Sequence, residues 1–249
     1  MDGKLWYLKS CRLFEQLTPQ ETEYLEHRAV LRSFKRHALV YAPTESGQSV
    51  LVLAKGRVKI KDITADGKET ILAFIEEGEL FGELALLDGA PRQEYAEAVE
   101  DSVVVLIPCE DLLHVIEPRP DLTLSIMKLI GLRRKRIENR LRNVLFLSGR
   151  ERVVRLIHEL SGSHGERLGN RRAIRLPLSH QDLASLVGLT RETVTHVLGQ
   201  LQADGLIRIE RRRLTVLDER RLAEEAGEIG PVTPLRLDRQ TPARRTGEL

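Results

Sequence analysis

Four polar side chains toward the C-terminal end of the chain have the chemistry needed to read the edges of base pairs. They are Arg191, Glu192, Thr195 and His196. An arginine can donate two hydrogen bonds to guanine, a glutamate can accept one from the cytosine amino group, and a threonine methyl suits thymine. They lie on one face of a predicted helix whose opposite face is apolar. That apolar face consists of Val194, Val197, Leu198 and Leu201.

Two short predicted helices position these side chains. Ser179 is a good N-cap for the first helix, with Asp182 in the acidic position of a capping box, and Gly188 supplies the left-handed residue that ends it. Thr190 caps the second helix, which ends at Gly205. A helix–turn–helix of this kind places the first turn of its second helix in the DNA major groove. The alternative is a solvated face on an ordinary helical hairpin.

The residues that follow favour the DNA-binding interpretation. Residues 206–210 and 213–217 alternate between apolar and polar side chains, which is typical of two strands. Three arginines, 211–213, lie at the turn between them, and we expect Arg212 at this tip to contact phosphate. The segment therefore predicts a winged helix with a basic wing.

These motifs resemble the DNA-binding domain of the Crp/Fnr regulators. The resemblance lies in residues 179–184 (Ser-His-Gln-Asp-Leu-Ala), 188–195 (Gly-Leu-Thr-Arg-Glu-Thr-Val-Thr), 204–207 and 214–218. It implies base reading by Arg191 and Glu192. It also implies phosphate contacts from Ser179, Gln181 and Thr190. His196 departs from the arginine that is usual at this position, although a histidine can still donate to a base acceptor.

The charge of the chain differs between its two halves. Residues 1–118 hold 13 Lys and Arg against 21 Asp and Glu, a formal net charge of −8, whereas residues 119–249 hold 26 against 16, or +10. Only the basic half suits a nucleic-acid surface. No apolar run approaches the length of a membrane span and the N-terminus has no signal-peptide core, so we expect a cytoplasmic protein without membrane contact.

Between Val30 and Pro108 the sequence predicts many short strands separated by glycines and prolines, an arrangement typical of a sandwich or barrel. Asp66-Gly67 is a signal for a tight hairpin. Residues 52–60, 66–69, 78–87 and 90–92 resemble the family's sensor domain, a cyclic-nucleotide-binding-like double-stranded β-roll or jelly roll. Together the two resemblances cover about residues 10–218.

Residues 81–92 match the place of the family's phosphate cassette. Backbone N–H groups after Gly82 could face an anion, Arg92 could pair with a cyclic phosphate, and Glu83 could accept from a ribose hydroxyl. However, cyclic-AMP binders usually follow the arginine with Ser or Thr and then Ala, where this chain has Gln93 and Glu94. A cyclic nucleotide is therefore possible but not favoured, and an internal Glu83–Arg92 salt bridge is the alternative. The candidate effector pocket consists of Gly82, Glu83, Leu84, Ala85, Arg92 and Gln93.

A long helix is predicted from Pro120 to about Ser148. Apolar residues recur on it in alternating steps of three and four, with Arg134 as one charged layer, which is the pattern of a two-stranded coiled-coil seam. The family uses this helix as its dimer interface; the alternative is an amphipathic helix packed on its own domain. The basic run 133–136 favours a solvated helix face over a DNA contact. The predicted seam consists of Met127, Ile130, Arg134, Ile137, Leu141 and Val144.

Other site chemistries have little support in the sequence. Two cysteines, Cys11 and Cys109, are too few for an iron–sulfur cluster, and the histidines show no metal or haem arrangement. The sequence contains no nucleophile triad or P-loop, so an enzyme is not predicted. The cofactor, if any, stays unknown.

The sequence thus predicts an α+β chain with four parts: a sensor β-roll (1–118), a dimerisation helix (119–148), a winged helix–turn–helix (149–218) and a charged, disordered tail (219–249). Within that last part, residues 219–228 are predicted to be helical. We expect a homodimer that binds a palindromic operator in double-stranded DNA, and the family resemblance also implies RNA polymerase as a partner. Two alternatives are a regulator of the same fold that needs no effector, and a nucleotide-binding module without DNA function.

Overall fold

The computed structural model of the chain describes residues 14–169, 171–174, 176, 178–210 and 213–227. The first helix, α1 (Pro19–Arg28), begins at a capping box in which Thr18 and Glu21 satisfy each other's backbone N–H groups. Cys11, Arg212 and the tail beyond residue 227 lie outside the described residues.

Eight strands follow α1 and form the sensor domain. They pair into two antiparallel four-stranded sheets, with the orders β1-β8-β3-β6 and β2-β7-β4-β5. The strands are β1 (Val30–Phe34), β2 (Leu39–Tyr41), β3 (Ser49–Lys55), β4 (Val58–Ile63), β5 (Glu69–Ile75), β6 (Leu80–Phe81), β7 (Tyr95–Ala98) and β8 (Ser102–Pro108). The predicted β-roll is confirmed.

The core of the roll has two layers because β3 is buried on both faces. Leu51 and Leu53 point into the roll and pack with Phe81, whereas Val50 and Val52 face the surrounding helices. Those helices are α1, α3 (Cys109–Ile116) and the start of α4 (Pro120–Phe146); a short α2 (Ala85–Asp88) lies between β6 and β7. The long helix is thus anchored to the roll at its N-terminal end.

The C-terminal domain is a bundle of helices covered by a small sheet. Its strands follow the order β11-β12-β10-β9, and one apolar cluster joins the sheet to the helices. The elements are α5 (Gly149–His164), β9 (Gly165–Leu168), β10 (Arg171–Ile174), α6 (His180–Val187), α7 (Arg191–Ala203), β11 (Ile207–Glu210), β12 (Arg213–Val216) and α8 (Glu219–Ala226).

Two predictions for this domain are wrong in detail. The glycine- and charge-rich sequence of 161–172 predicts a loop, but residues 161–164 complete α5, and residues 165–168 and 171–174 pair as the β9–β10 hairpin, with Gly169 at a φ of 64°. The sequence of this stretch is rich in glycine and charge, but pairing with β12 compensates for its low strand propensity.

The boundary placed after residue 218 also needs correction. Residues 219–226 form helix α8, in agreement with the helical character predicted for 219–228, but α8 packs against α5 with Leu222 fully buried and so belongs to the C-terminal domain, not to a disordered tail. Asp218 caps this helix by accepting from the Arg221 backbone N–H at 3.0 Å. The local composition is highly charged, so burial of two apolar side chains, Leu222 and Ala226, decides its structure.

Candidate functional site

The helix–turn–helix is shaped by local hydrogen bonds that the sequence anticipates. Ser179 Oγ accepts from the Asp182 N–H at 3.1 Å, and an Asp182 carboxylate oxygen accepts from the Ser179 N–H at 2.8 Å. Gly188 takes a left-handed φ of 65° and ends α6. Thr190 Oγ1 then accepts from the Thr193 N–H at 3.2 Å and starts α7. These caps set the turn between the two helices.

The predicted base-reading face is exposed. Arg191, Glu192, Thr195 and His196 all project from α7 on the side opposite its fully buried Val194 and the rest of its apolar stripe. The structure therefore brings all four predicted side chains to one accessible surface.

Thr195 presents its methyl group because its hydroxyl is already engaged. The hydroxyl donates to the Arg191 carbonyl at 2.8 Å and lies 2.8 Å from His180 Nδ1. Since the hydroxyl proton goes to the carbonyl, His180 Nδ1–H is the donor to Thr195 Oγ1. The hydroxyl is thereby occupied within the protein, and the apolar methyl suits contact with a thymine methyl.

His196 is oriented by a chain of hydrogen bonds that the sequence did not reveal. The Gln200 amide nitrogen lies 3.0 Å from His196 Nε2, and its oxygen accepts from Arg150 at 3.3 Å. Arg150 also pairs with Asp204 at 2.7 Å. Because Arg150 holds the amide oxygen, the amide nitrogen donates to Nε2, and the proton of neutral His196 resides on Nδ1 as a donor for DNA. The spacing of His196 and Gln200 by one helical turn is the only sequence signal of this pair.

The predicted phosphate contacts have mixed surroundings. Gln181 is exposed, Thr190 is exposed but caps α7, and Ser179 is half-buried at the cap of α6. Ser179 also lines a cleft between the C-terminal domain and the outer face of the β2-β7-β4-β5 sheet, across from His37 and Lys59. Arg212 lies outside the described residues.

The cassette expected to hold an anion is largely satisfied by the protein itself. Arg92 is buried, donates to the Gly82 carbonyl at 2.9 Å and to the Ser49 carbonyl, and stacks over the ring of Tyr41 at 4.6 Å. A Cβ at Gly82 would lie 2.7 Å from the Arg92 guanidinium, so only glycine allows this approach. Arg92 therefore ties the start of β3 to the turn that follows β6.

Glu83 is also paired, but not with Arg92 as the salt-bridge alternative predicted. Its carboxylate, with a side chain only 7% exposed, pairs with Arg133 of α4, and Arg133 donates a second hydrogen bond to the Leu80 carbonyl. The interpretation of residues 133–136 as a solvated face is therefore wrong for Arg133. Of the remaining cassette residues, Leu84 and Gln93 are exposed and Ala85 is buried.

Glu94 lies at the position where cyclic-AMP binders usually have alanine. Its carboxylate accepts a hydrogen bond from Tyr41 Oη at 3.0 Å. Burial, reinforced by this carboxylate, raises the pKa of Tyr41 above its ordinary value, so its hydroxyl stays protonated as the donor.

A cavity of about 510 Å³ lies beside this cassette. The roll supplies Phe74 and Glu83, the long helix supplies Arg136 and Ile137, and the C-terminal domain supplies Leu186. Four arginines on α4 line it, at positions 133, 134, 136 and 140. Those at 133, 136 and 140 recur in steps of three and four residues, a helical-face pattern that could have identified them from the sequence.

The predicted seam residues are mostly exposed on a single chain. Met127 is 63% exposed and Leu141 is 58% exposed, and Ile137 and Val144 are similarly accessible, whereas Ile130 is half-buried. The charged layer at Arg134 is paired with Glu138 at 2.8 Å. An apolar stripe of this extent on one helix is typical of a surface that another copy covers.

The C-terminal domain contacts the sensor domain directly. Ile71 and Phe74 of β5 belong to the apolar cluster that contains Leu186 of α6. His164, the last residue of α5, pairs with Glu76 at 2.9 Å, and this hydrogen bond is the main reason that the pKa of Glu76 is lowered. The first helix of the helix–turn–helix is thus coupled to the wall of the cavity.

Within the described part of the chain, no helix has both the length and the apolar character required to cross a bilayer. The same residues contain no group of three or more histidine, cysteine or acidic side chains arranged to hold a metal ion.

The fold and the exposed α7 face define a sensor domain joined through a long helix to a winged helix–turn–helix. Residues 31–119 match the family model of the cyclic nucleotide-binding domain, and residues 151–225 match that of the Crp-like helix-turn-helix domain. The cyclic AMP receptor protein of Thermus thermophilus is 30% identical over 85% of this chain and 97% of its own length.

Other relatives agree. A protein of Mycobacterium tuberculosis named CRP-like cAMP-activated global transcriptional regulator is 28% identical over 86% of this chain and 96% of its own. FixK2 of Bradyrhizobium japonicum superposes with a TM-score of 0.70 at 23% identity, covering 81% of this chain and 98% of its own. The chain belongs to the Crp/Fnr family of transcription regulators, whose members bind DNA and act as dimers, and it is not an enzyme.

Proposed function

We propose that this regulator binds a palindromic operator as a homodimer, with Arg191, Glu192, Thr195 and His196 reading bases in each half-site. The observation that carries the proposal is the exposure of these four side chains together on α7, beside a Thr195 hydroxyl and a His196 ring that internal hydrogen bonds already orient. Phosphate contacts from Ser179, Gln181, Thr190 and Arg212 then fix the register without reading sequence.

The seam on α4 is the proposed dimer interface. Its apolar side chains are accessible on one chain, and a parallel pair of such helices buries them together. The two α7 helices must then lie about 34 Å apart to enter successive major grooves on one side of the duplex. The sensor domain controls this spacing through α4, because effector binding can favour one arrangement only by binding it more tightly.

A regulator with this function acts in the cytoplasm, where it meets chromosomal DNA. It contacts RNA polymerase at promoters. Family membership supports the polymerase contact, and no particular surface patch is assigned to it.

Selection from a random double-stranded library tests the proposal. The full chain should enrich an inverted repeat, and its affinity should fall steeply with salt because phosphate contacts release counterions. Arg191→Ala should cost about 1–3 kcal/mol on the selected site and relax preference at one base pair.

Arg220→Ala is the matched control, since Arg220 is an exposed arginine on α8 whose only described partner is Glu224. It should leave the preference unchanged. Failure to enrich any sequence, or an equal loss by Arg191→Ala on selected and random DNA, would remove α7 from the base-reading role.

A further inference from the structure

Arg150 joins three helices through its guanidinium group. It is the second residue of α5, and it donates to Asp204 at 2.7 Å, to Glu225 of α8 at 3.3 Å and to the side-chain oxygen of Gln200 on α7 at 3.3 Å. Its side chain is only 34% exposed. Because Gln200 in turn contacts His196, Arg150 is one side chain removed from a predicted base-reading residue.

The two carboxylates hold the guanidinium in place, and the guanidinium orients the amide of Gln200. A guanidinium has donors but no acceptor, so the amide atom that faces it is the oxygen. The amide nitrogen then lies toward His196 Nε2, at 3.0 Å. Turning the amide over would place its N–H groups against the N–H groups of the guanidinium. Arg150 therefore permits one orientation of this amide.

The orientation of the amide decides what the His196 ring can offer to DNA. With the amide nitrogen as donor, Nε2 of the neutral ring accepts, and the ring proton resides on Nδ1 as a donor. In the major groove guanine, adenine and thymine each present an acceptor atom, whereas cytosine presents only its amino donor. A donor on Nδ1 is thus matched by three bases and opposed by cytosine. With the amide reversed, Nδ1 would be an acceptor and would suit the cytosine amino group.

We propose that Arg150 is a specificity-determining residue of the operator interface. By orienting Gln200 it makes His196 a hydrogen-bond donor and disfavours cytosine at the base that His196 reads. Arg150 is a positioning residue, since protein groups occupy its guanidinium and it acts through two other side chains. This role deepens the base-reading function proposed above for α7 and rests on it.

The affinities of the full chain for four versions of the selected operator test this role. The versions differ in one half-site, at the base whose preference is lost in His196→Ala. Titrations are made at about pH 8.5, where a histidine ring is neutral. The wild-type protein should bind the cytosine version about tenfold more weakly than the best version, because a hydrogen bond is lost and two donors face each other. Arg150→Met should reduce this difference to about twofold, because either amide orientation then becomes available.

Matched variants separate this role from a general loss of structure or charge. Arg150→Lys keeps a cation that has only donors and should retain the discrimination against cytosine. Gln200→Glu leaves Arg150 in place but supplies two acceptor oxygens, so the ring proton moves to Nε2 and cytosine should become a preferred base. Arg220→Met breaks the exposed Arg220–Glu224 pair on α8 and should leave the base profile unchanged.

An Arg150→Met variant that is folded by circular dichroism and discriminates like the wild type would overturn the proposal. So would a uniform loss of affinity for operator and random DNA, which is the behaviour of a phosphate contact. A Gln200→Glu variant that still disfavours cytosine would also overturn it, and this variant decides the matter if Arg150→Met does not fold. Failure of the proposed function is seen separately, as a selection that enriches no operator.

Discussion

Replacing Arg133 with methionine should destabilise the protein strongly, because it breaks the Arg133–Glu83 ion pair that joins the long helix to the cassette. Methionine keeps an unbranched apolar stem but removes the guanidinium group, with its charge and both hydrogen bonds. Glu83 would retain its carboxylate with a side chain only 7% exposed, and the buried Leu80 carbonyl would lose its Arg133 donor.

The magnitude follows from these two losses. Removing one partner of a buried ion pair costs about 3 kcal/mol, and an unsatisfied buried carbonyl costs about 1 kcal/mol. We therefore expect the free energy of unfolding to fall by about 4 kcal/mol. For a chain of this size that corresponds to a decrease in Tm of roughly 8–16 °C.

Circular dichroism melting and urea titration of the full chain measure this change. The control is Arg220→Met, which breaks an ion pair whose side chains are 89% and 62% exposed, and it should cost under about 1 kcal/mol. The double variant Glu83→Gln/Arg133→Met should recover part of the loss, since no buried charge then remains unpaired. If Arg133→Met and Arg220→Met unfold alike, Glu83 and Arg133 do not form the contact that the structure describes.

Three further predictions concern other parts of the molecule. Leu141→Glu should convert the dimer to a monomer, measured by light scattering, and a variant that stays dimeric would contradict the seam. Gln200→Ala should weaken selectivity at the base pair read by His196 about three- to tenfold without changing binding to random DNA, because the ring loses one orienting hydrogen bond; unchanged selectivity in binding assays would contradict that role. The hydrogen bond with His164 lowers the pKa of Glu76, so the stability that this carboxylate contributes is present above its ordinary pKa of 4.5 and is lost as the pH falls below that value. Glu76→Gln should therefore reduce the fall in the free energy of unfolding at acid pH, measured by urea titration, and an unchanged fall would refute this.

The helix–turn–helix could be predicted almost entirely from the sequence. Its caps at Ser179 and Thr190 and its break at Gly188 depend on residues within a few positions of each other, so their outcome is local. The same holds for the exposed face of α7, since the period of the helix alone separates Arg191 from the buried Val194.

The sensor site could not be predicted in this way. The sequence offers a ribose hydroxyl or Arg92 as the partner of Glu83. Its actual partner, Arg133, lies 50 positions away on another element. Arg92, expected to pair with a phosphate, is instead held by the carbonyl groups of Gly82 and of Ser49 at the start of β3. The helical character of 219–228 could be predicted, but the packing of α8 on α5 could not, because the charged composition of α8 does not reveal which element covers it.

The sequence by itself determined the caps, the many short strands of the sensor domain and the residues that α7 presents, because each follows from short-range periodicity and turn chemistry. Only the tertiary structure decided which charged groups neutralise one another and which remain available, because pairing depends on distances between elements far apart in the chain. Arg133 and Arg136 show this: neighbours in one basic run, they differ because Glu83 of the roll lies within reach of Arg133, whereas Arg136 faces the cavity.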